Sequence, residues 1–474
     1  MTALTVSTRG FWYAAASLPP VMIYKFQDDK KTLYSCLLVN RTLSEIIIPI
    51  LWKNPWKFLK RGKEKLLLGV IILHLSDESK NNLNQNINLF NLLTKSYQKP
   101  LFNYISFCRH LNLGKIKKII YKTIHEDTLF KLPIITNEII KIFINENTKI
   151  THLYIPLEFN FKIHLIPGAQ RCFSEIEFLS CKAGINDNVL TGLSEICKSI
   201  KIMELTIGRF YNIYDNYGII RLIEASKNLL NISFLTELPN SNDSFYKILE
   251  NSLIKHANTI QCFKTTKHPI TNLLSTLVNL KRLELNDYNF RSYNYLKNLY
   301  LPFLQILKVQ CVPSIKDLEN LIKNTNGSLI EIKIEFAIRD EINNKRIIQT
   351  IYQNCPKLKY LKLLVKNNNI LEIENLFINC KYLYKLYIPT NEEFDLDKLF
   401  EILIKSSPTS LFKFKFSKYF RTFKTFKLFF DNKKGRHPIS LQISSNFVEE
   451  SESLLQKYKA AGIIESYSYL YDYP

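Results

Sequence analysis

Apolar residues recur in one short pattern along most of the chain. The pattern is apolar-x-x-apolar-x-apolar, and its clearest copies begin at Leu280, Leu329, Leu358 and Leu383. Because side chains alternate between the two sides of a strand, the last two apolar positions of each copy would point to the same side. Each copy therefore predicts a short β-strand with one buried face. Further copies begin at Ile150, Phe173, Ile202, Leu229, Leu304, Leu411 and Pro438, with a weak copy around Cys262.

Helical patterns lie between the predicted strands. Ile315, Leu318 and Ile322 have the spacing of one helix face, as do apolar residues within 347–352 and 396–403. The strand copies are about 26 residues apart on average, as in leucine-rich repeats. A strand and helix of this length cannot bury their apolar faces alone. The pattern predicts the α/β class and a curved leucine-rich-repeat solenoid with strands on its concave side. A β/α alternation without true repeats is the alternative.

The end of the chain predicts a cap on this array. Leu454, Leu455 and Tyr458 have helical spacing, and Gly462 can end that helix. Ile463 and Ile464 then predict a strand, which would cover the open end of the stacked repeats.

The segment 28–58 predicts a small helical module. Asp28 and Asp29 can cap a helix that carries Leu33, Leu37 and Leu38 on one face. A module of this size cannot bury much on its own, so we expect it to need a neighbouring domain or a partner.

A second helix is predicted in the same module. Ser44 can cap it, and Pro49 is expected to end or bend it. Trp52 and Trp56 follow and supply two large apolar anchors, with Pro55 fixing the turn between them. Truncation of Trp52 to Ala would cost roughly 3–5 kcal/mol if this side chain is buried.

This segment resembles the C-terminal part of an F-box, especially in the F-box proteins that are numerous in some fungi. The similar residues are Leu33–Arg41, Pro49–Trp52 and Pro55-Trp56, preceded by Leu18-Pro19 where an F-box usually opens. There are two departures. The segment from Val21 to Gln27 is shorter than the family's first helix and has no acidic residue, and Leu43 stands where the family usually has Trp.

The resemblance implies a function. An F-box docks on a Skp-type adaptor and brings a substrate-binding domain to a cullin–RING ubiquitin ligase. Asn354-Cys355-Pro356-x-Leu358 is also similar to the irregular repeats of F-box leucine-rich proteins. An unrelated helical cap on a repeat array is the alternative. The residues implied for adaptor docking, or for the packing behind it, are Leu18, Pro19, Leu33, Leu37, Val39, Ile50, Leu51 and Trp52.

These observations divide the chain into three predicted segments. Residues 18–58 are the F-box-like helical module, 59–100 a helical connector, and 101–474 the leucine-rich-repeat-like solenoid with its C-terminal cap. We expect no membrane-spanning helix, because no apolar run approaches the roughly 18 residues that one needs. Nine scattered cysteines without a Cys-x-x-Cys motif predict free thiols in a reducing compartment, cytoplasmic or nuclear.

No catalytic or cofactor motif is present in the sequence. The 12 glycines form no phosphate-binding loop, and the eight histidines form no metal-binding motif. Asp395 and Asp397 precede a predicted helix, so helix capping explains them better than metal binding. We therefore expect a protein without enzymatic activity, metal or cofactor, although a Cys–His pair formed only by the fold stays open.

The net charge of +22 raises the question of an acidic partner. The lysines are spread evenly, which favours a compositional bias over a nucleic-acid patch. The outward strand positions nevertheless differ between the two halves of the array. From the predicted registers these positions are Tyr154, Glu177, Thr206, Ser233, Phe263, Glu284, Lys308, Lys333, Lys362, Tyr387, Lys415 and Gln442, with Lys385 and Lys413 on the same side.

The later outward positions predict a substrate surface. Lys308, Lys333, Lys362, Lys385, Tyr387, Lys413 and Lys415 would bind an acidic or phosphorylated segment of a partner protein, with Glu331 and Glu335 offsetting part of the charge. An ordinary solvated face is the alternative in so lysine-rich a chain.

Three functions remain open from the sequence. The first is a substrate receptor of a ubiquitin ligase, and the second is an interaction scaffold without ligase coupling. The third is a nucleic-acid-associated protein, suggested by the basic and aromatic run from Lys413 to His437. Most aromatic residues in that run have strand or helix spacing, so we expect them in the core.

Overall fold

The structure is a computed structural model of the 474-residue chain. It describes residues 29–86, 100–123, 130–182, 184–207, 217–236, 243–286, 296, 298–310, 314–336, 338, 340–389, 394–416, 424–432, 437–444 and 448–470. The chain divides into two compact units, Met1–Leu229 and Leu230–Pro474. This boundary lies inside the predicted repeat array, and the three-segment division made from the sequence stays a prediction.

The first unit begins with helices and continues with alternating strands and helices. Its strands are β1 (His110–Asn112), β2 (His152–Ile155), β3 (Phe178–Cys181) and β4 (Ile202–Ile207), and each is parallel to the next. Its helices are α1 (Lys30–Leu37), α2 (Arg41–Trp52), α3 (Glu64–Ile72), α4 (Asp77–Asn86), α5 (Leu113–Thr123), α6 (Leu132–Phe143), α7 (Ala169–Phe173), α8 (Asp187–Ile196) and α9 (Tyr217–Ala225).

The second unit contains ten described strands in chain order. They are β5 (Asn231–Thr236), β6 (Cys262–Thr265), β7 (Arg282–Leu285), β8 (Ile306–Val309), β9 (Glu331–Ile334), β10 (Tyr360–Lys362), β11 (Lys385–Ile388), β12 (Lys413–Phe416), β13 (Ile439–Ser444) and β14 (Ile464–Leu470). Its helices are α10 (Asp243–Ile254), α11 (Leu273–Thr276), α12 (Ile315–Lys323), α13 (Glu341–Asn354), α14 (Glu372–Asn379), α15 (Leu396–Ser406), α16 (Lys424–Asp431) and α17 (Val448–Ala460).

The apolar pattern correctly predicts the strands around Leu283, Ile332, Leu361 and Leu386 in the second unit. Leu361 pairs in parallel register with Ile332 on one side and with Leu386 on the other, and Leu283 is joined to this row through β8. All four of these side chains are buried. The predicted α/β class is therefore confirmed, with parallel strands that follow chain order.

A small buried residue ends the helix before several strands. Cys197, Cys355 and Cys380 are the C-caps of α8, α13 and α14, and all three are fully buried. The backbone N–H of Leu358 donates to the carbonyl of Cys355, and that of Leu383 donates to the carbonyl of Cys380, both over 3.1 Å. The chain thus makes the same turn before β10 and before β11. A structural repeat would require such a recurring turn.

The predicted register of β3 in the first unit is wrong. In β3 the buried residues are Leu179 and Cys181, so Glu177 lies before the strand and Ser180 takes the outward position. The predicted copy began at Phe173, but that side chain belongs to the buried face of α7. In β4, Thr206 lies on the outward side as predicted, two residues after Glu204, which pairs with Ser180.

The register of β6 is also wrong. The prediction placed Phe263 outward, but Phe263 is buried and Lys264 points outward instead. The reason is a polar residue in the core: Thr265 is buried, and its hydroxyl donates to the carbonyl of Lys267 over 2.6 Å. That hydrogen bond satisfies the hydroxyl, so a polar residue occupies a position that the apolar pattern reserves for a hydrophobe.

The C-terminal cap agrees with its prediction. Leu455 and Tyr458 are buried on α17, Gly462 has a positive φ of 73°, and β14 pairs with β13 in parallel. Glycine is favoured there because a side chain would strain that backbone conformation.

Candidate functional site

The helical module of the first unit is held by two side-chain caps. Asp29 starts α1 by accepting hydrogen bonds from the backbone N–H groups of Lys31 and Thr32. Asn40 starts α2, because its side-chain oxygen accepts from the backbone N–H of Leu43 over 2.8 Å. The prediction of Ser44 as this cap is wrong.

Two further details of α2 differ from the prediction. Ser44 lies inside the helix, and its hydroxyl donates to the carbonyl of Leu37 over 2.9 Å, which ties the two helices together. Pro49 does not end the helix, which continues to Trp52, so of the two predicted effects only a bend at Pro49 stays a prediction.

The residues implied for adaptor docking fall into two groups by burial. Leu33 is fully buried with Cys36, Leu43 and Ile47, so its role is the packing behind the surface. The half-buried Leu37, Val39, Ile50 and Leu51 pack against that cluster and keep part of their surface open. Leu18 and Pro19 lie outside the described residues.

Exposed apolar side chains lie beside this partly open surface. The prediction that Leu38 shares the buried face is wrong, since α1 ends at Leu37 and Leu38 is 84% exposed. Tyr34 is 46% exposed. A groove of about 400 Å³ lies next to them, and its lining includes Tyr34, Leu51, Trp52, Pro55, Phe58 and Leu67.

The two tryptophans have different environments. Trp52 is half-buried and stacks on Tyr104 with ring centroids 4.8 Å apart. Trp56 is buried, packs near Phe143, and its indole N–H donates to the carbonyl of His110 over 2.7 Å. Trp56 is thus the anchor that fixes the module to β1, and Trp52 is part of the groove.

On β9–β12 the predicted outward residues form two rows. Each strand alternates half-buried outward and buried inward residues. The pairing aligns Glu331, Tyr360, Lys385 and Lys413 in one row, and Lys333, Lys362, Tyr387 and Lys415 in the other. Lys308 pairs with Lys333 and extends the second row onto β8. The structure therefore brings all seven residues predicted for substrate binding onto one face. We call these two rows the lysine–tyrosine face.

Carboxylates neutralise the lysines on β8–β10. The ion pairs are Lys308 to Glu284 at 3.8 Å, Lys333 to Glu331 at 2.5 Å and Lys362 to Glu335 at 2.8 Å. Among the described residues, no carboxylate lies within 4.0 Å of Lys385, Lys413 or Lys415. The surplus positive charge of this face is therefore concentrated on β11 and β12.

Two tyrosines hold the lysines of this face in place. The ammonium groups of Lys333 and Lys385 lie 4.8 and 4.4 Å from the ring centre of Tyr360. Those of Lys362 and Lys415 lie 4.9 and 4.7 Å from the ring centre of Tyr387. Contacts of this kind are cation–π interactions.

The close packing of charged groups on the lysine–tyrosine face changes the pKa values of Lys415 and Tyr360. Partial burial, together with the charges of Lys362 and Lys385, lowers the pKa of Lys415. Burial and the nearby carboxylates Glu331 and Glu335 raise the pKa of Tyr360 to about 12. A positive potential at Lys415 favours binding of an anion there.

The outward face of the first unit carries rings without lysines between them. His110 stacks on His152 with ring centroids 3.8 Å apart, and His152 stacks on Phe178 at 5.4 Å. Tyr154 lies 5.0 Å from Phe178. We call these four residues the histidine–aromatic face. Burial is the main cause that lowers the pKa of His110 to about 4, and it also lowers the pKa of His152.

The sequence analysis missed the histidines of this face. The available signal was a further copy of the apolar pattern, Cys108, Leu111 and Leu113, all of which are buried around β1. That copy places His110 outward and in register with His152.

The aromatic run near the C-terminus is mostly core where it is described, as expected. Buried rings cannot stack on nucleic-acid bases, so the buried rings in the described part of this run offer no aromatic platform for a nucleic acid. Tyr419, Phe420 and Phe423 lie outside the described residues. The buried rings are Phe414, Phe416, Phe426, Phe429 and Phe430.

Within the described ranges, no group of three or more His, Cys, Asp or Glu side chains is arranged to hold a metal ion. None of the helices described there is long and apolar enough to cross a membrane. Asp395 caps α15 by accepting from the backbone N–H of Lys398, as expected for a helix N-terminus. Comparison of the sequence with protein-family models gave no match, and comparison with curated protein sequences gave none either.

Proposed function

We propose that this chain is a non-catalytic protein-binding protein, the substrate receptor of a cullin–RING ubiquitin ligase. In this proposal α1 and α2 form an F-box-like module that docks on a Skp-type adaptor. The strand–helix units form a leucine-rich-repeat solenoid, and the lysine–tyrosine face binds the substrate protein.

The observation that carries the proposal is the open apolar surface of the helical module. Leu38 and Tyr34 are largely exposed, and Leu37, Val39, Ile50 and Leu51 are only half-buried. Exposed apolar side chains of this kind are typical of a protein-binding site. The same residues carry the resemblance to an F-box, which supports an adaptor as the partner.

The lysine–tyrosine face supports the substrate half of the proposal. Three lysines without a carboxylate partner among the described residues lie on adjacent strands, and the tyrosine rings limit the side-chain freedom of two of them, Lys385 and Lys415. Charge of this kind speeds encounter with an acidic partner and selects among partners. Ordered side chains lose less entropy when they bind.

The test is binding of the full chain to a purified Skp-type adaptor, measured by calorimetry at micromolar concentrations. We expect binding, and we expect Leu38→Asp to weaken it at least tenfold, because a charge would enter an apolar contact. Leu66→Asp on α3 is the matched control, since Leu66 is 66% exposed and lies outside the proposed contact. Circular dichroism should show both variants folded.

Two outcomes would contradict the proposal. If the intact chain does not bind the adaptor, the ligase function fails and a scaffold without ligase coupling takes its place. If Leu38→Asp and Leu66→Asp weaken binding equally, the adaptor contacts a different surface.

A further inference from the structure

A cationic turn borders the groove next to the helical module. The backbone N–H of Lys63 donates to the carbonyl of Lys60 over 3.1 Å, which closes a tight turn. Gly62 allows this turn because its φ is positive, at 83°. Lys60, Arg61 and Lys63 are exposed, and Lys60 and Lys63 line the groove together with Leu59 and the apolar residues named above. The turn therefore brings two lysine side chains to a groove that is otherwise mostly apolar.

No neighbouring carboxylate neutralises the positive charge of this turn. Among the described residues, no carboxylate lies within 4.0 Å of Lys60, Arg61 or Lys63. Glu64, the acidic residue that follows the turn, accepts a hydrogen bond from the ammonium of Lys122 over 2.8 Å. This hydrogen bond lowers the pKa of Glu64 to about 2, so its carboxylate stays ionised and paired with Lys122. An anion that enters the groove would thus meet a positive charge that is still available.

The polar side chains of the groove are hydrogen-bond donors. No lining side chain in the described ranges is acidic or an amide. Lysine ammonium groups and the indole N–H of Trp52 can only donate, and this N–H has no hydrogen-bond partner among the described residues. The hydroxyl of Tyr34 is the one lining side-chain group that can also accept. A peptide backbone brings N–H donors as well as carbonyl acceptors, so it would leave N–H groups without side-chain partners here. The lining therefore fits a ligand whose polar end only accepts hydrogen bonds.

The remaining lining favours an apolar body for the same ligand. Leu51, Trp52 and Leu67 are half-buried, so each keeps surface that a ligand can cover. Tyr104 stacks on Trp52 but does not line the groove, so the groove reaches the indole from another side. Covering apolar surface removes it from water and stabilises the complex. The volume of about 400 Å³ and the few polar groups are typical of a small-molecule site.

We propose that this groove binds a small anionic amphiphile, a carboxylate with a single apolar chain. The carboxylate accepts hydrogen bonds from Lys60 and Lys63, and the apolar chain packs on Trp52 and Leu67. This binding goes beyond the proposed function and does not rest on it, since the ligand is held by this chain alone and needs no adaptor.

The experiment is titration of the full chain with sodium dodecanoate at neutral pH, below its micelle concentration, followed by calorimetry and tryptophan fluorescence. We expect saturable binding. Lys60→Gln/Lys63→Gln should weaken it roughly threefold to thirtyfold, the range for losing two exposed ion pairs. Lys53→Gln/Lys65→Gln is the matched control, because both lysines are exposed and neither lines the groove. It should change the affinity less than about twofold, since salt screens charges outside the contact.

The length of the apolar chain gives a second comparison. Decanoate and octanoate should bind more weakly than dodecanoate, by roughly threefold to fourfold for each methylene removed. An affinity that does not depend on chain length would contradict the assignment of the groove to the apolar chain.

Three other results would overturn the proposal. The first is no saturable heat or fluorescence change at millimolar dodecanoate. The second is an equal loss of affinity in the two double variants, which would indicate a response to net charge alone. The third is binding to phosphatidylserine–phosphatidylcholine vesicles or to an oligoglutamate peptide in place of dodecanoate, with the same dependence on Lys60 and Lys63. That result would assign the turn to a membrane surface or to an acidic protein segment.

Discussion

The histidine–aromatic face and the lysine–tyrosine face are built on the same strand geometry but have opposite chemistry. In the first, neutral rings stack on one another across β1–β3. In the second, each tyrosine ring lies between two ammonium groups across β9–β12. The inward residues of both are apolar and buried. The core thus determines the strands, and the outward residues remain free to determine what each face binds.

The largest loss of stability is expected for a substitution of Trp56, which packs at the edge of the histidine–aromatic face. Trp56→Ala should cost about 3–5 kcal/mol of unfolding free energy, because it empties a buried site and removes the hydrogen bond to His110. Trp52→Ala is the matched comparison, and it should cost less than half as much because Trp52 is only half-buried. Urea unfolding followed by circular dichroism measures both. Equal losses would mean that the edge of this face is not held by Trp56.

A second test compares the two halves of the lysine–tyrosine face, which are the ion-paired lysines on β8–β10 and the lysines on β11 and β12. Lys385→Gln/Lys413→Gln/Lys415→Gln should weaken binding of a labelled oligoglutamate peptide at least tenfold at low salt, because these lysines have no carboxylate partner among the described residues. Lys308→Gln/Lys333→Gln/Lys362→Gln changes the charge equally but removes lysines that are already ion-paired.

Fluorescence anisotropy of the labelled peptide should therefore show a clearly smaller loss for the second triple variant. If both variants lose affinity equally, the peptide responds to net charge alone, and the two halves of this face do not differ. Glu variants at Lys333, Lys362 and Lys415 would mix the two halves and could not make this distinction.

The smallest expected effect is the loss of stability when an aromatic ring of either face is replaced by an aliphatic side chain. Tyr387→Leu should cost about 1–2 kcal/mol of unfolding free energy, because two cation–π contacts are lost at about 0.5–1 kcal/mol each. Tyr387→Phe keeps the ring and is the control. On the other face, Phe178→Leu loses ring–ring contacts, and its cost should not depend on salt. A salt-independent cost for Tyr387→Leu would contradict the assigned role of its ring.

The sequence predicted strands best where apolar residues fill every inward position. The strands around Leu283, Ile332, Leu361 and Leu386 agree with their predictions because nothing polar interrupts them. The prediction for β6 failed because a hydrogen-bonded threonine takes a core position, and periodicity alone cannot anticipate that bond. The prediction for β3 failed because Phe173 on α7 has the same spacing to Ile176 as a strand residue would have.

The candidate sites were predictable to different degrees. Side-chain alternation was enough to place Lys333, Lys362 and Lys415 on one face. It could not show which lysines are ion-paired, because the partners Glu284 and Glu335 lie on other strands or beyond strand ends. The pairing of His110 with His152 depends on the register of two strands about 40 residues apart in sequence, which no local pattern contains.

The cysteine caps have a consequence for the reactivity of the folded chain. Alkylating reagents attack the thiolate. Burial raises the pKa of Cys197 and Cys380 to about 12, and it also raises the pKa of Cys355. Native thiols at these caps are therefore nearly inert at neutral pH, and their alkylation must wait until the surrounding strand and helix open. Because Cys197 lies in one unit and Cys355 and Cys380 in the other, the alkylation rate of each thiol would report the opening equilibrium of its own part of the chain.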